Sequence, residues 1–270
     1  MISHRSRGRL GRGNPPAALV VLGVLGLTVF AVPLAGLLAR TPWSDLPELL
    51  AGEVVTDALR LSLLTSLAAT AISAFVGVPL AWLLSRVEFP GRALVRGVVT
   101  LPLVLPPVVG GAALLFALGR RGLIGEPVNQ LTGLLLPFST WGVVVANTFV
   151  AMPFLVITVE GALRNLDPRF EGAAATLGAR PWTVMRRVTL PMIAPSLVAG
   201  LVLTWARALG EFGATITFAG NLQGRTQTLP LAVFVALESD RDTAVALSLV
   251  MVAVSLIVLV TLRERWWKVL

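Results

Sequence analysis

Between two long apolar runs the chain reads Asn165-Leu166-Asp167-Pro168-Arg169-Phe170-Glu171-Gly172-Ala173-Ala174-Ala175-Thr176-Leu177-Gly178-Ala179-Arg180-Pro181-Trp182. Asp167 before Pro168 starts a helix, because the carboxylate caps free amides and proline brings a preset φ with no amide to satisfy. Glu171 falls in the first turns, where the helix dipole favours an acid. Ala173 to Ala175 leave room for another surface to approach. Gly178 is a stop that takes a left-handed conformation easily. Pro181 opens a second helix, on which Trp182, Met185 and Val188 recur at three-residue spacing while Arg186 and Arg187 fall off that stripe. The stretch Leu166–Pro191 is therefore a helix, a turn and a second amphipathic helix. It forms a docking knob rather than a loose connector.

The flanking runs say what the knob stands on. The 270 residues are 56% hydrophobic and 13% charged, against about 25% charged in soluble domains. Mean hydropathy is +0.84. Spans are expected at about 15–39, 58–84, 97–118, 134–159, 192–218 and 243–262, each near the length that crosses a bilayer. The fold class is an all-α membrane protein of about six transmembrane helices. A basic tail, residues 1–14, precedes a single transmembrane domain over 15–270, with a loop at 160–191. The first apolar run exceeds a signal-peptide core. Leu101-Pro102-Leu103-Val104-Leu105-Pro106-Pro107 predicts a kinked or broken third span. The short apolar stretch Thr228–Leu237 cannot cross alone and is an interfacial or re-entrant piece.

The net charge of +8 lies between the apolar runs. Without interleaved aromatics it does not read as a nucleic-acid surface. With both termini inside, fifteen basic residues fall on the cytoplasmic side and five outside, as the positive-inside bias requires. That places Leu166–Pro191 in the cytoplasm, and Trp266, Trp267 and Lys268 at the inner interface. The chain has no cysteine, and its one histidine, His4, lies in the tail. No thiol or histidine chemistry, metal site, catalytic residue or cofactor is expected. No Gly-x-x-x-x-Gly-Lys-Ser/Thr loop occurs, so ATP hydrolysis would come from another chain.

Glu171–Pro191 resembles the cytoplasmic loop of permease subunits of ATP-binding-cassette importers, whose pattern is Glu-Ala-Ala, three residues, Gly, then an Ile-x-Leu-Pro end. The match falls on Ala173, Ala174, Gly178, Val188, Leu190 and Pro191. Counted from Gly178, the acidic position is Gly172, and Glu171 precedes it by one residue. Arg207–Asn221, Thr226–Ala232 and the Leu101–Pro107 run are similar to molybdate permeases, and Gly210–Gly213 also to sulfate and thiosulfate permeases. The resemblance implies a type I importer-like permease for molybdate or tungstate in the cytoplasmic membrane, with sulfate or thiosulfate as the alternative. It implies an ATPase docked on Glu171, Gly172, Ala173, Ala174, Gly178 and Trp182, an extracytoplasmic oxyanion-binding protein, and a second copy of the chain. A self-powered secondary transporter is a further alternative, though no internal repeat is visible and few charges sit in the spans.

Arg207 and Glu211 are the opposite charges placed well inside a span. Four residues apart, they share a helix face and can pair. They either help an oxyanion pass or lock the fifth span to a neighbour. Gly210 and Gly213 suit close helix packing. Thr204, Thr215 and Thr217 can donate to passing oxygens or bond their own helix.

Overall fold

The computed structural model describes residues 16–266. The tail 1–14, with His4, and Trp267 and Lys268, expected at the inner interface, lie outside the described residues. The chain divides into two units, Met1–Pro42 and Trp43–Leu270. The first contributes α1 (Ala17–Ala39), with Pro33 inside it. It is apolar on every side, the composition of a helix whose solvent is lipid.

The second unit is entirely helical among the described residues. After α2 (Leu46–Ala51) comes the long α3 (Glu53–Arg86). Then follow α4 (Arg92–Thr100), a 3₁₀ turn at Leu101–Leu103 and α5 (Pro107–Leu118). The short α6 (Gly125–Thr132) leads to α7 (Thr140–Asn165), and the loop supplies α8 (Pro168–Thr176) and α9 (Pro181–Val184). A π-helical turn at Met185–Thr189 joins α9 to α10 (Leu190–Leu209). The chain ends with α11 (Gly213–Phe218), α12 (Leu229–Ser239) and α13 (Arg241–Trp266).

Among the described residues, five helical segments are long and apolar enough to cross a membrane, and a bent pair makes up to six. The bent pair is Arg92–Leu103 with Pro107–Leu118, turned by 118°. Proline causes it. Pro106 precedes Pro107 and is held extended, at φ −54° and ψ 132°, because a residue before proline is excluded from the helical region. The expected span at 97–118 is thus two short helices at a sharp angle. The expected span at 192–218 is also interrupted, since α10 stops at Leu209 and α11 begins at Gly213. The expected span at 134–159 starts late, at the Ser139 cap, whose hydroxyl accepts from the Gly142 amide. The apolar stretch at Thr228–Leu237 is the short helix α12.

The core is the α3, α7, α10 triple. Ala81 and Leu84 of α3 meet Leu155, Val156, Val159 and Leu163 of α7 and Ile193 of α10. Glycines let these helices touch. A Cβ on Gly200 would stand 3.0 Å from Leu155, and one on Gly77 3.2 Å from Met152, the small-residue packing typical of membrane helices. The other end of α3 packs differently: Val55 and Ala58 join Leu229, Ala232 and Ala236 of α12 and Ala244 and Leu247 of α13. Hydrogen bonds pin these contacts, since the Leu229 amide donates to Ser62 and the Trp205 indole donates to Ser66. Either group left unpaired away from water would be costly.

Candidate functional site

The loop between α7 and α10 has the geometry its residues dictate. Asp167 accepts from the Arg169 amide at 2.9 Å and caps α8. Gly178 sits at φ +80°, and the Gly178 and Ala179 amides close the end of α8 on the carbonyls of Ala175 and Ala174. A left-handed residue there turns the chain back sharply. Phe170, Leu177 and Trp182 are exposed, Leu177 by 88% and Trp182 by 71%. Gly172, Ala173 and Gly178 are exposed beside them, and Ala174 is half-buried. The expected stripe of Trp182, Met185 and Val188 does not face one way. Met185 and Val188 are half-buried while Trp182 points outward. The π turn from Met185 carries more residues per turn than an α-helix, so three-residue spacing no longer tracks one face.

Glu171 does not join that outer face. Its Oε2 lies 3.0 Å from Arg86 Nη2 at the end of α3, and its Oε1 accepts from the Thr189 hydroxyl at 2.7 Å. Both carboxylate oxygens are engaged within the chain. Sequence reading missed these partners, because Arg86 looked like one more basic residue at a span end.

The second constellation lies where α10 breaks. Arg207 Nη1 and Glu211 Oε2 are 2.7 Å apart, and Glu211 Oε1 accepts from the Ala214 amide, also at 2.7 Å. Glu211 is 1% exposed and Arg207 29%. A buried charge is tolerated when paired and hydrogen-bonded, and here the acid also holds the start of α11 against α5. A Cβ on Gly213 would stand 2.8 Å from Pro107, and one on Gly111 2.8 Å from the Ala214 carbonyl. Gly210 makes no such approach, since a Cβ there would meet only the Ala206 carbonyl of its own helix, at 3.6 Å. Thr204 and Thr217 bond their own helices, and Thr215 donates to the buried Asn147. Arg207 is therefore the polar group that keeps both charge and accessibility at this break. A guanidinium has five donors in a fixed fork, more than Glu211 occupies.

A further ion pair, with a buried acid and a partly exposed arginine, went unseen in the sequence. Arg96 of α4 donates through Nε to Glu160 of α7 at 3.0 Å and through Nη2 to the same carboxylate and to the Leu84 carbonyl. Arg164 Nη1 stands 4.0 Å from the same carboxylate oxygen. The i,i+4 spacing of Glu160 and Arg164 was the available signal, but the stronger partner is 64 residues away. Arg207 and Glu211 are thus not the only opposite charges packed among these helices.

At the opposite end of α3, a cleft of about 390 Å³ is lined by Asp45, Glu48, Glu53, Gln223 and Thr243 among others. Among the described residues no three His, Cys, Asp or Glu side chains gather as metal ligands would.

Residues 54–269 match the family of binding-protein-dependent transport system inner membrane components. The molybdenum transport system permease protein ModB of Mycobacterium bovis is 46% identical over 252 residues, covering 93% of this chain and 94% of that protein. The sulfate transport system permease protein CysT of Escherichia coli is 36% identical over 247 residues, covering 89% of each. A bacterial ABC transporter that imports the acidic polysaccharide alginate shares the fold, with a TM-score of 0.75 at 19% identity over 92% of this chain and 93% of that one.

Proposed function

From a chain that belongs to the family of binding-protein-dependent transport system inner membrane components, we propose the membrane-spanning subunit of an ATP-driven molybdate importer. The observation that carries this is the 46% identity to a molybdenum permease across nearly the full length of both chains. The exposed face of the loop and the lack of a phosphate-binding motif in the sequence support a division of labour. A separate ATPase chain docks on the exposed face of α8 and α9, around Gly172, Ala173, Leu177, Gly178 and Trp182. A binding protein delivers the anion at the other end of the helices. Residues 15–270 work as one permease domain behind the basic tail, both termini are cytoplasmic, and a second copy of the chain completes the path.

Within that path Arg207 supplies positive charge to an oxyanion without trapping it. Glu211 already holds the guanidinium, so the anion competes for a partly satisfied donor set. Passage needs binding weak enough to release. The proline-broken α4–α5 segment and the broken α10–α11 segment meet at Gly111 and Gly213, where irregular backbone is tolerated because it is packed against protein.

The test is uptake of radiolabelled molybdate by proteoliposomes holding the chain with its ATPase and binding protein. Uptake should require ATP inside and binding protein outside. Equal uptake of sulfate, unaffected by excess molybdate, would favour the second reading, which the 36% identity to a sulfate permease supports. Orientation has its own check, because the sequence has no cysteine. A Leu177→Cys variant should react with a membrane-impermeant maleimide only after cells are opened, and a Gln223→Cys variant in intact cells.

A further inference from the structure

The family pattern puts an acid where this chain has Gly172, and the acid stands one residue earlier. On a helix one residue is a rotation of about 100°. The rotation is visible in what each position meets. A Cβ on Gly172 would find nothing within 4 Å. Glu171 instead turns inward, to Arg86 at the end of α3 and to Thr189. Thr189 is 1% exposed and closes the π turn that leads into α10. One carboxylate therefore ties three elements together: the docking helix α8, the long helix α3 and the root of α10. The last two belong to the α3, α7, α10 core.

We propose that Glu171 is a positioning residue, an internal strut that makes α8 move together with α3 and α10, and not a contact to the ATPase. A docked partner pushes on Leu177, Trp182 and the small residues beside them. The displacement reaches the membrane helices only if α8 cannot slide or roll on its footing. Backbone alone does not prevent that, since α8 has no buried residue and is bounded by the Leu166–Asp167 and Leu177–Arg180 turns. The Arg86 and Thr189 contacts hold it at two points on different helices. Both ion-pair partners are only partly exposed, at 21% and 23%, so the pair is sheltered from full solvent screening. The proposal rests on the reading of the loop as an ATPase seat.

The test uses the full transporter with its ATPase and binding protein, carrying Glu171→Gln, Arg86→Gln or both. Glutamine keeps the length of the glutamate and its bond from Thr189. Three quantities are read: ATPase retained on purification, ATP hydrolysed, and molybdate transported per ATP. The strut predicts normal retention in all three variants and a fall in transport per ATP of about fivefold or more. It also predicts that the double variant is no worse than either single one, since both remove the same contact. Unchanged transport per ATP would overturn it. So would selective loss of the ATPase from Glu171→Gln, which would make Glu171 a direct docking contact and leave the importer reading intact. Additive defects in the double variant would also overturn it. If the unaltered, folded chain retained no ATPase, the reading of the loop would fail, and the strut with it.

Discussion

Glu211 and Glu171 spend their carboxylates alike and live in opposite surroundings. Each pairs one oxygen with an arginine and accepts a hydrogen bond with the other. Glu211 does so at 1% exposure, where α10 breaks, and Glu171 at 23%, on the loop. Burial decides what the same chemistry is worth. At the break, losing Arg207 strands the Glu211 carboxylate away from water, so the pair fixes architecture. On the loop, water still reaches the Glu171 carboxylate, so the pair contributes less to stability. Its value lies in connecting elements that would otherwise move separately.

The largest effect is therefore expected at the break. Arg207→Ala should lower the stability of the purified transporter by about 3–5 kcal/mol, the cost of leaving the buried Glu211 carboxylate unpaired, read as an earlier thermal transition in detergent. Arg207→Ala/Glu211→Ala should recover much of that loss, because no lone charge remains. If this double variant folds and carries molybdate at the normal rate, Arg207 has no role in passage. Next comes the packing that the Glu211 bond to Ala214 maintains. Gly111→Val should cost about 1–3 kcal/mol by overpacking against α11, and a variant as stable as the parent would show that α5 and α11 are free to separate.

Glu171→Gln should cost about 1 kcal/mol, since glutamine keeps the Thr189 bond and the pair is partly exposed, while still uncoupling transport from hydrolysis. A melting loss as large as that of Arg207→Ala would erase the contrast between the two regions. Asp240 is the surface limit of the series. It caps α13 by accepting from the Thr243 hydroxyl and the Thr243 and Asp242 amides. The Thr243 bonds, above all the hydroxyl's, hold its carboxyl below the usual range. A depressed carboxyl stabilises the fold above its unfolded pKa, and that stability is lost as pH falls through its folded pKa. The melting temperature should thus show a small acid-dependent fall that is absent from Asp240→Asn.

The two regions also differ in how far they were legible in the sequence. The loop was readable because its signals are local: Asp167 and Pro168 act on amides next to them, and Gly178 acts on its own φ. The break in α10 was not. Nothing between Thr204 and Phe218 is a proline, and Gly210-Glu211-Phe212 lies in an apolar run that reads as continuous helix. The chain departs from helix there where Glu211 takes the Ala214 amide and Gly213 seats against Pro107, a contact made more than a hundred residues away. The proline run at Leu101–Pro107 announced a bend, but its 118° turn depends on where α5 finds α11 and α7. The Arg86–Glu171 and Arg96–Glu160 pairs were hidden for the same reason. Charge at a span end looks the same whether it faces water or a partner brought in by folding.

The bend at Leu101–Pro107 also bears on how the chain is made. Arg92–Leu103 and Pro107–Leu118 are twelve residues each, well short of the roughly 20 that let a helix partition into a bilayer by itself. Neither half is long enough to cross alone, although the two together are apolar enough for one span. In the finished fold the bent segment leans on parts of the chain translated after it: α7 offers Glu160 to Arg96, and α11 covers Gly111. A chain truncated before α7 should therefore insert this segment less efficiently than the full chain, and equal insertion would show that the bend needs no later partner.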